Sequence, residues 1–137
     1  MPIRSLWIAH EFWDLFDAIP ELHDEKLAQG HRTFGEHIEQ MFCDFRCAAR
    51  PAAGDLKRMM PNAKGVWKLH PAGARVYGWC PRPHSFVVVT LALVQATKDD
   101  HKLNNHKRDE VLAFIKAHKL TAHVVRGDIN AVFPPSP

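Results

Sequence analysis

The run Ser85-Phe-Val-Val-Val-Thr-Leu-Ala-Leu-Val94 constrains this chain more than any other stretch. It is apolar almost throughout and half of it is β-branched, so an extended strand built from it has no face that belongs in water, and it suits a central strand covered on both sides. Two β-rich runs precede it, Val66-Trp-Lys-Leu-His70 and Ala74-Arg-Val-Tyr-Gly-Trp79, each bounded by Pro/Gly turns. Together they predict a three-stranded antiparallel meander.

The first half has a different texture. Arg4-Ser-Leu-Trp-Ile8 suits a short strand, and Phe12, Trp13, Leu15, Phe16 and Ile19 form an apolar cluster ended by Pro20, which reads as a turn of helix. From Glu21 to about Arg50 the pattern is helical with a break at Gly30. Phe34, Ile38, Met41, Phe42 and Phe45 recur at helical spacing and predict one buried face. Core packing against that helix is the expected role of Trp7, Phe12, Trp13 and Phe16. Pro51 to Asp55 stops the helix, and Leu56 to Gly65 reads as a basic loop. After the meander, a polar stretch from Thr97 to Asn105 leads into a last helix over about His106 to Lys119, capped by Asn104 or Asn105. Thr121 to Val132 is expected to add a short strand.

A chain of 137 residues supports one domain, residues 1–137, with 120–137 a candidate short C-terminal extension. Eighteen Lys+Arg against fifteen Asp+Glu leave a charge of +3, which permits a nucleic-acid partner without requiring one. Three cysteines cannot all pair within the chain, so a reducing compartment is expected. No apolar run approaches the ~18 residues of a membrane span, and charged residues interrupt the N-terminus too early for a signal peptide. The expectation is a cytoplasmic protein with no membrane partner.

The chemistry concentrates in the meander. A short connection, Pro71-Ala-Gly-Ala74, sets His70 opposite Arg75 and Lys68 opposite Tyr77, and alternation puts Val66, Lys68, His70, Arg75, Tyr77 and Trp79 on one face. Trp67, Leu69 and Val76 point the other way. Two cations, an imidazole and a phenol on one surface are the parts needed for RNA cleavage by 2′-hydroxyl attack: a proton acceptor, a donor and positive charge at the phosphorane. No metal or other cofactor is required. Tyr77 or Trp79 supplies a ring for base stacking. A solvated sheet face also carries Lys, Arg and His, and is the commoner arrangement. A one-residue register slip would scatter the set.

Val66 to Trp79, Phe86 to Thr97 and the polar run into a last helix resemble the RelE/HigB toxin superfamily over about residues 50–118. The implied architecture is α+β and RelE-like: a small antiparallel-rich sheet in the order β-α-α-β-β-β-α, with helices packed on one face. The implied activity is that of an mRNA interferase, an endoribonuclease toxin cutting mRNA on the ribosome and neutralised by a cognate antitoxin, for which a helix-turn-helix protein is one candidate. By position, Lys68 and His70 match the basic pair of the first meander strand and Arg75 the arginine of the second. The chain departs from the family at Gln95-Ala96, where relatives commonly carry paired lysines; Lys98, His101 and Lys102 follow closely, Lys98 and His101 as assisting catalytic candidates and Lys102 as an RNA contact. Lys57, Arg58 and Lys64 are candidate phosphate contacts. The alternative is a catalytically weak RelE-fold module that binds RNA or protein.

Two metal readings are disfavoured. His101, His106, Asp99 and Asp100 lack a recognised ligand spacing, and Cys43 with Cys47 has no second matched pair.

Overall fold

The apolar run forms β5 (Ser85–Leu93), which has a strand on either side: β1 (Ser5–Ile8) runs parallel to it and β4 (Ala74–Trp79) antiparallel. Beyond β4 lie β3 (Val66–Leu69) and β2 (Leu56–Arg58), giving a five-stranded sheet of order β1-β5-β4-β3-β2. The computed structural model describes residues 4–47, 56–61 and 64–134. The expected meander is present and is one strand longer than its sequence suggested. Leu56 to Arg58, read as part of a basic loop, pairs antiparallel with β3, because Leu56 supplies a buried side chain that anchors this edge to the core.

Helices cover both faces of the sheet, which corrects the expectation of helices on one face. Phe86, Val88 and Leu91 of β5, with Trp67, Leu69 and Val76, pack against α1 (His10–Ala18) and α2 (Phe34–Cys47), where Phe12, Phe16, Ile38, Phe42 and Phe45 are buried. Val66, Tyr77, Trp79, Val89 and Ala92 face the opposite way, onto Val111 and Ile115 of α4 (Leu103–Ala117). A strand apolar on both sides requires cover on both sides.

The predicted buried face of α2 is present. Its start is fixed by reciprocal bonds: Thr33 Oγ1 accepts from the Glu36 N–H (3.1 Å) and Glu36 Oε1 accepts from the Thr33 N–H (3.0 Å). Before it, the segment expected to be helical from Glu21 to Gly30 contains only two 3-10 turns, Pro20–His23 and Glu25–Leu27, and Gly30 takes φ +67. Pro20 opens the first turn and Asp24, accepting from the Lys26 N–H, opens the second, which favours short turns there over a continuous helix.

Three further readings are corrected toward the C-terminus. The stretch expected to be a polar loop, Thr97 to Asn105, starts inside α3 (Val94–Asp99), which continues from the end of β5, and finishes inside α4. The last helix begins at Leu103, three residues early, and no side chain caps it; Asn104 is spent elsewhere. Thr121 to Val132 adds no strand: it forms turns and α5 (Ile129–Val132), with Asp128 accepting from the Asn130 and Ala131 N–H groups. The segment is tied to the sheet by Val125 N–H donating to Cys80 O (2.8 Å) and His84 N–H to Val132 O (2.8 Å), and Val132 and Phe133 are buried. No described helix is long and apolar enough to cross a membrane.

Candidate functional site

Strand alternation and register build the site. On the α4 side of the sheet, three rows of side chains run across the strands. One is Lys57–Lys68–Tyr77–Thr90, from β2 through β5, with each neighbour directly paired. The next pairs Arg75 with Ala92; His70 stands across from Arg75, one step beyond the Leu69–Val76 pair. The third is apolar, Val66–Trp79–Val87–Trp7. Helix α4 seats Val111 and Ile115 among the apolar side chains of this face, which include Val66 and Trp79. The turn of chain between β3 and β4 lies at the other end of the face, with Lys68, His70 and Arg75 half-buried and Lys57 exposed beside it.

The electrostatics follow from this crowding. Burial and the charges of Arg75 and Lys57 together lower the Lys68 pKa. Burial, then Arg75, Lys68 and Lys57, lower His70 to about 4, so its imidazole is neutral at pH 7. Burial also lowers Arg75. None of the four makes an ion pair with a carboxylate among the described residues. The Arg75 guanidinium is held by its own turn, with one Nη donating to Ala74 O (2.8 Å) and Pro71 O (3.4 Å). His70 Nε2 is buried and has no hydrogen-bond partner among the described residues. Like charges set side by side repel, and a buried polar atom without a partner costs about 1–3 kcal/mol, so the arrangement is unfavourable as it stands.

The structure does not bring all the sequence candidates together. Tyr77 and Trp79 are 0% exposed, so neither offers a ring face to a base. Tyr77 is pinned beneath α4, its hydroxyl donating to Asn104 Oδ1, and burial raises its pKa to about 12. Trp79 donates Nε1–H to His123 O (2.8 Å). Both were drawn onto the charged face correctly by alternation, but alternation does not say how far a helix covers that face. Arg58 points to the opposite side and donates to Gly127 O (2.6 Å), a structural tie rather than a free phosphate contact. Lys64 is exposed. Lys98, on α3, and His101 and Lys102, in the turn before α4, are exposed, and their side chains make no hydrogen bond or ion pair among the described residues. Helix α3 nevertheless starts beside the site, since Val94 N–H donates to Gly73 O (3.0 Å) in the β3–β4 turn. Gln95 donates to Asp99 on the same helix (3.0 Å). Among the described residues no three His, Cys, Asp or Glu side chains converge as a metal requires.

Two contributors were not anticipated. Asn104 was read as a cap, yet it fixes Tyr77. Lys107 borders the same row, its Nζ 3.2 Å from Thr90 Oγ1 and 3.3 Å from Glu110. A helical spacing of three between Asn104 and Lys107 was the only signal that both face the sheet.

No protein-family model matches this chain, and comparison with curated proteins finds no match.

Proposed function

We propose that this chain is an endoribonuclease of the RelE/HigB kind, the toxin of a toxin–antitoxin pair acting in the cytoplasm on ribosome-bound mRNA. The observation that carries the reading is the cluster of Lys57, Lys68 and Arg75 around the neutral imidazole of His70 at the open end of one sheet face, without a carboxylate partner among the described residues. A phosphodiester is the natural anion for such a cluster.

In the proposed reaction the substrate 2′-hydroxyl gives its proton to the neutral imidazole of His70 as its oxygen attacks the adjacent phosphorus. An imidazole with pKa about 4 is a weak base in the free protein. The bound phosphate opposes the charges of Arg75, Lys68 and Lys57, which raises that pKa toward the working range. Arg75, oriented by Ala74 O and Pro71 O, stabilises the charge that develops on the phosphorane. The 5′-oxygen leaves with a proton from Lys68, whose lowered pKa makes it a better acid than an ordinary lysine. The products are a 2′,3′-cyclic phosphate and a 5′-hydroxyl, and proton exchange with water restores both groups.

Induced expression in a bacterium tests this. The expected result is growth arrest with transcripts cut to cyclic-phosphate ends, both lost in Arg75→Ala; unaffected growth with intact transcripts overturns it. A second reading, an RNA- or protein-binding module of the same fold with little catalytic power, is favoured by Gln95-Ala96 and by the exposed, unconverged positions of Lys98 and His101. Salt-sensitive RNA binding without cleavage distinguishes it.

A further inference from the structure

The two edges of the sheet are built differently. At one edge, β2 carries Lys57 and Arg58, charges of the kind that discourage another chain from pairing. At the other, β1 is Ser-Leu-Trp-Ile with no charge at all. In its parallel ladder with β5, Ser5 N–H donates to His84 O (3.1 Å) and Ala9 N–H to Val88 O (2.9 Å). Period-two alternation therefore turns the N–H and C=O groups of Leu6 and Ile8 outward, away from β5. No described residue bonds them.

Beside this edge, on the α4 side, lies an apolar groove of about 510 Å³. Trp7, Val87 and Trp79 form its floor, Phe114 and Leu120 one wall, and Arg82 its rim. Trp7 is 47% exposed, a correction to the expectation that it packs in the core, because α4 lies over β3, β4 and β5 and stops short of β1. Arg82 sits 5.4 Å from the Trp7 ring centroid and makes no ion pair among the described residues. No Asp or Glu lines the groove, and Arg82 is the one lining side chain that is always charged at neutral pH.

We propose that β1 is a strand-addition site for an extended segment of a partner protein that alternates apolar and acidic residues. Its backbone would pair with the outward groups of Leu6 and Ile8, its apolar side chains would enter the groove against Trp7 and Phe114, and a carboxylate would meet Arg82. A second copy of this chain is a poorer occupant, since it brings another Arg82 to the same rim. Nucleic acid is also poorer, because the lining is overwhelmingly apolar and offers few groups to hydrogen-bond a base edge. The proposal does not depend on the RNA-cleavage reading, since it uses the opposite end of the α4 face.

The test is backbone-amide NMR on the full chain, titrated with a synthetic peptide of about eight residues alternating leucine and glutamate. Saturable shifts are expected at the Leu6 and Ile8 amides and the Trp7 indole, with at least tenfold weaker binding when prolines interrupt the peptide. Arg82→Glu should weaken binding at least tenfold and favour a leucine–lysine peptide instead. Trp7→Ala, at an exposed position, gives a second variant with the same expected loss. Absence of saturation, equal binding of the proline-interrupted peptide, or the same shifts produced by oligouridylate in place of the peptide would each overturn the proposal.

Discussion

Lys57 and Lys68 stand directly opposite each other on β2 and β3, on the side of the sheet that also carries His70 and Arg75. Like charges in cross-strand register are destabilising, and protection of the β2 edge accounts for a charge at Lys57 but not for its placement opposite a second lysine. An anion held there, as in the proposed function, would account for that placement. Burial together with Arg75 and Lys57 lowers the Lys68 pKa, and burial together with all three cations lowers that of His70.

Lys57→Gln separates the repulsion from the anion binding. Removing one of two opposed cations should raise stability by about 0.5 kcal/mol at low ionic strength, with the gain fading as salt screens the pair. The same change should weaken binding of an RNA oligonucleotide and reduce the slope of log affinity against log salt by about 1. Chemical denaturation and salt-dependent RNA titrations read the two quantities. A structural ion network would move both in the same direction.

His70 sets the pH dependence. Its folded pKa of about 4 lies below the ordinary 6.5, so between those values the unfolded chain binds the extra proton. Stability therefore rises with pH across that window, is fully present above pH 6.5 and is lost as pH falls toward 4. After allowance for solvent screening the contribution is about 1–2 kcal/mol. Unfolding midpoints measured from pH 4 to 7 should show this slope, and His70→Asn should flatten it. Inorganic phosphate should move the His70 ring resonances toward a higher pKa by offsetting the charges of Arg75, Lys68 and Lys57.

The hairpin register was legible because it rests on local rules: a short Pro/Gly turn and period-two alternation placed Lys68 across from Tyr77. The two-sided core was legible in β5, whose apolar run implied cover on both faces even though helices were expected on one. Depth was not legible. Tyr77 and Trp79 share their face with Lys68, and only the docking of α4, a contact between residues far apart in sequence, decides that the aromatics are buried and the lysine half-open. The edge strand β2 was hidden for a related reason. Three residues give too little alternation to distinguish a strand from a basic loop until Lys57 is seen across from Lys68.

Tyr77→Phe tests the correction to the stacking role. The hydroxyl's bond to Asn104 is the interaction removed, and about 1 kcal/mol of stability should go with it. RNA affinity should stay within about twofold, since the ring is inaccessible. A loss of about 1–3 kcal/mol in binding, the size of a deleted base stack, would return Tyr77 to the interface.

Gly78 tests the frame that holds the site together. The pairing of β4 with β5 shifts there: Tyr77 opposes Thr90 but Gly78 opposes Val88, leaving Val89 as the extra residue. This bulge lets Val89 and Thr90 lie on the same side, one buried under α4 and the other next to Tyr77 and Lys107. A Cβ on Gly78 would fall 1.9 Å from Val87 O and 2.9 Å from Val87 C, and a strand backbone cannot give way as a flexible side chain can. Gly78→Ala should therefore cost about 3 kcal/mol or more, above the usual range for a single surface or core change. Thermal unfolding gives the loss. The control is Gly30→Ala, where a Cβ meets nothing within 4 Å but φ is +67, so only the smaller backbone cost of about 1 kcal/mol is expected. Equal losses at the two glycines would mean that the bulge does not hold β4 against β5 in the way these distances require.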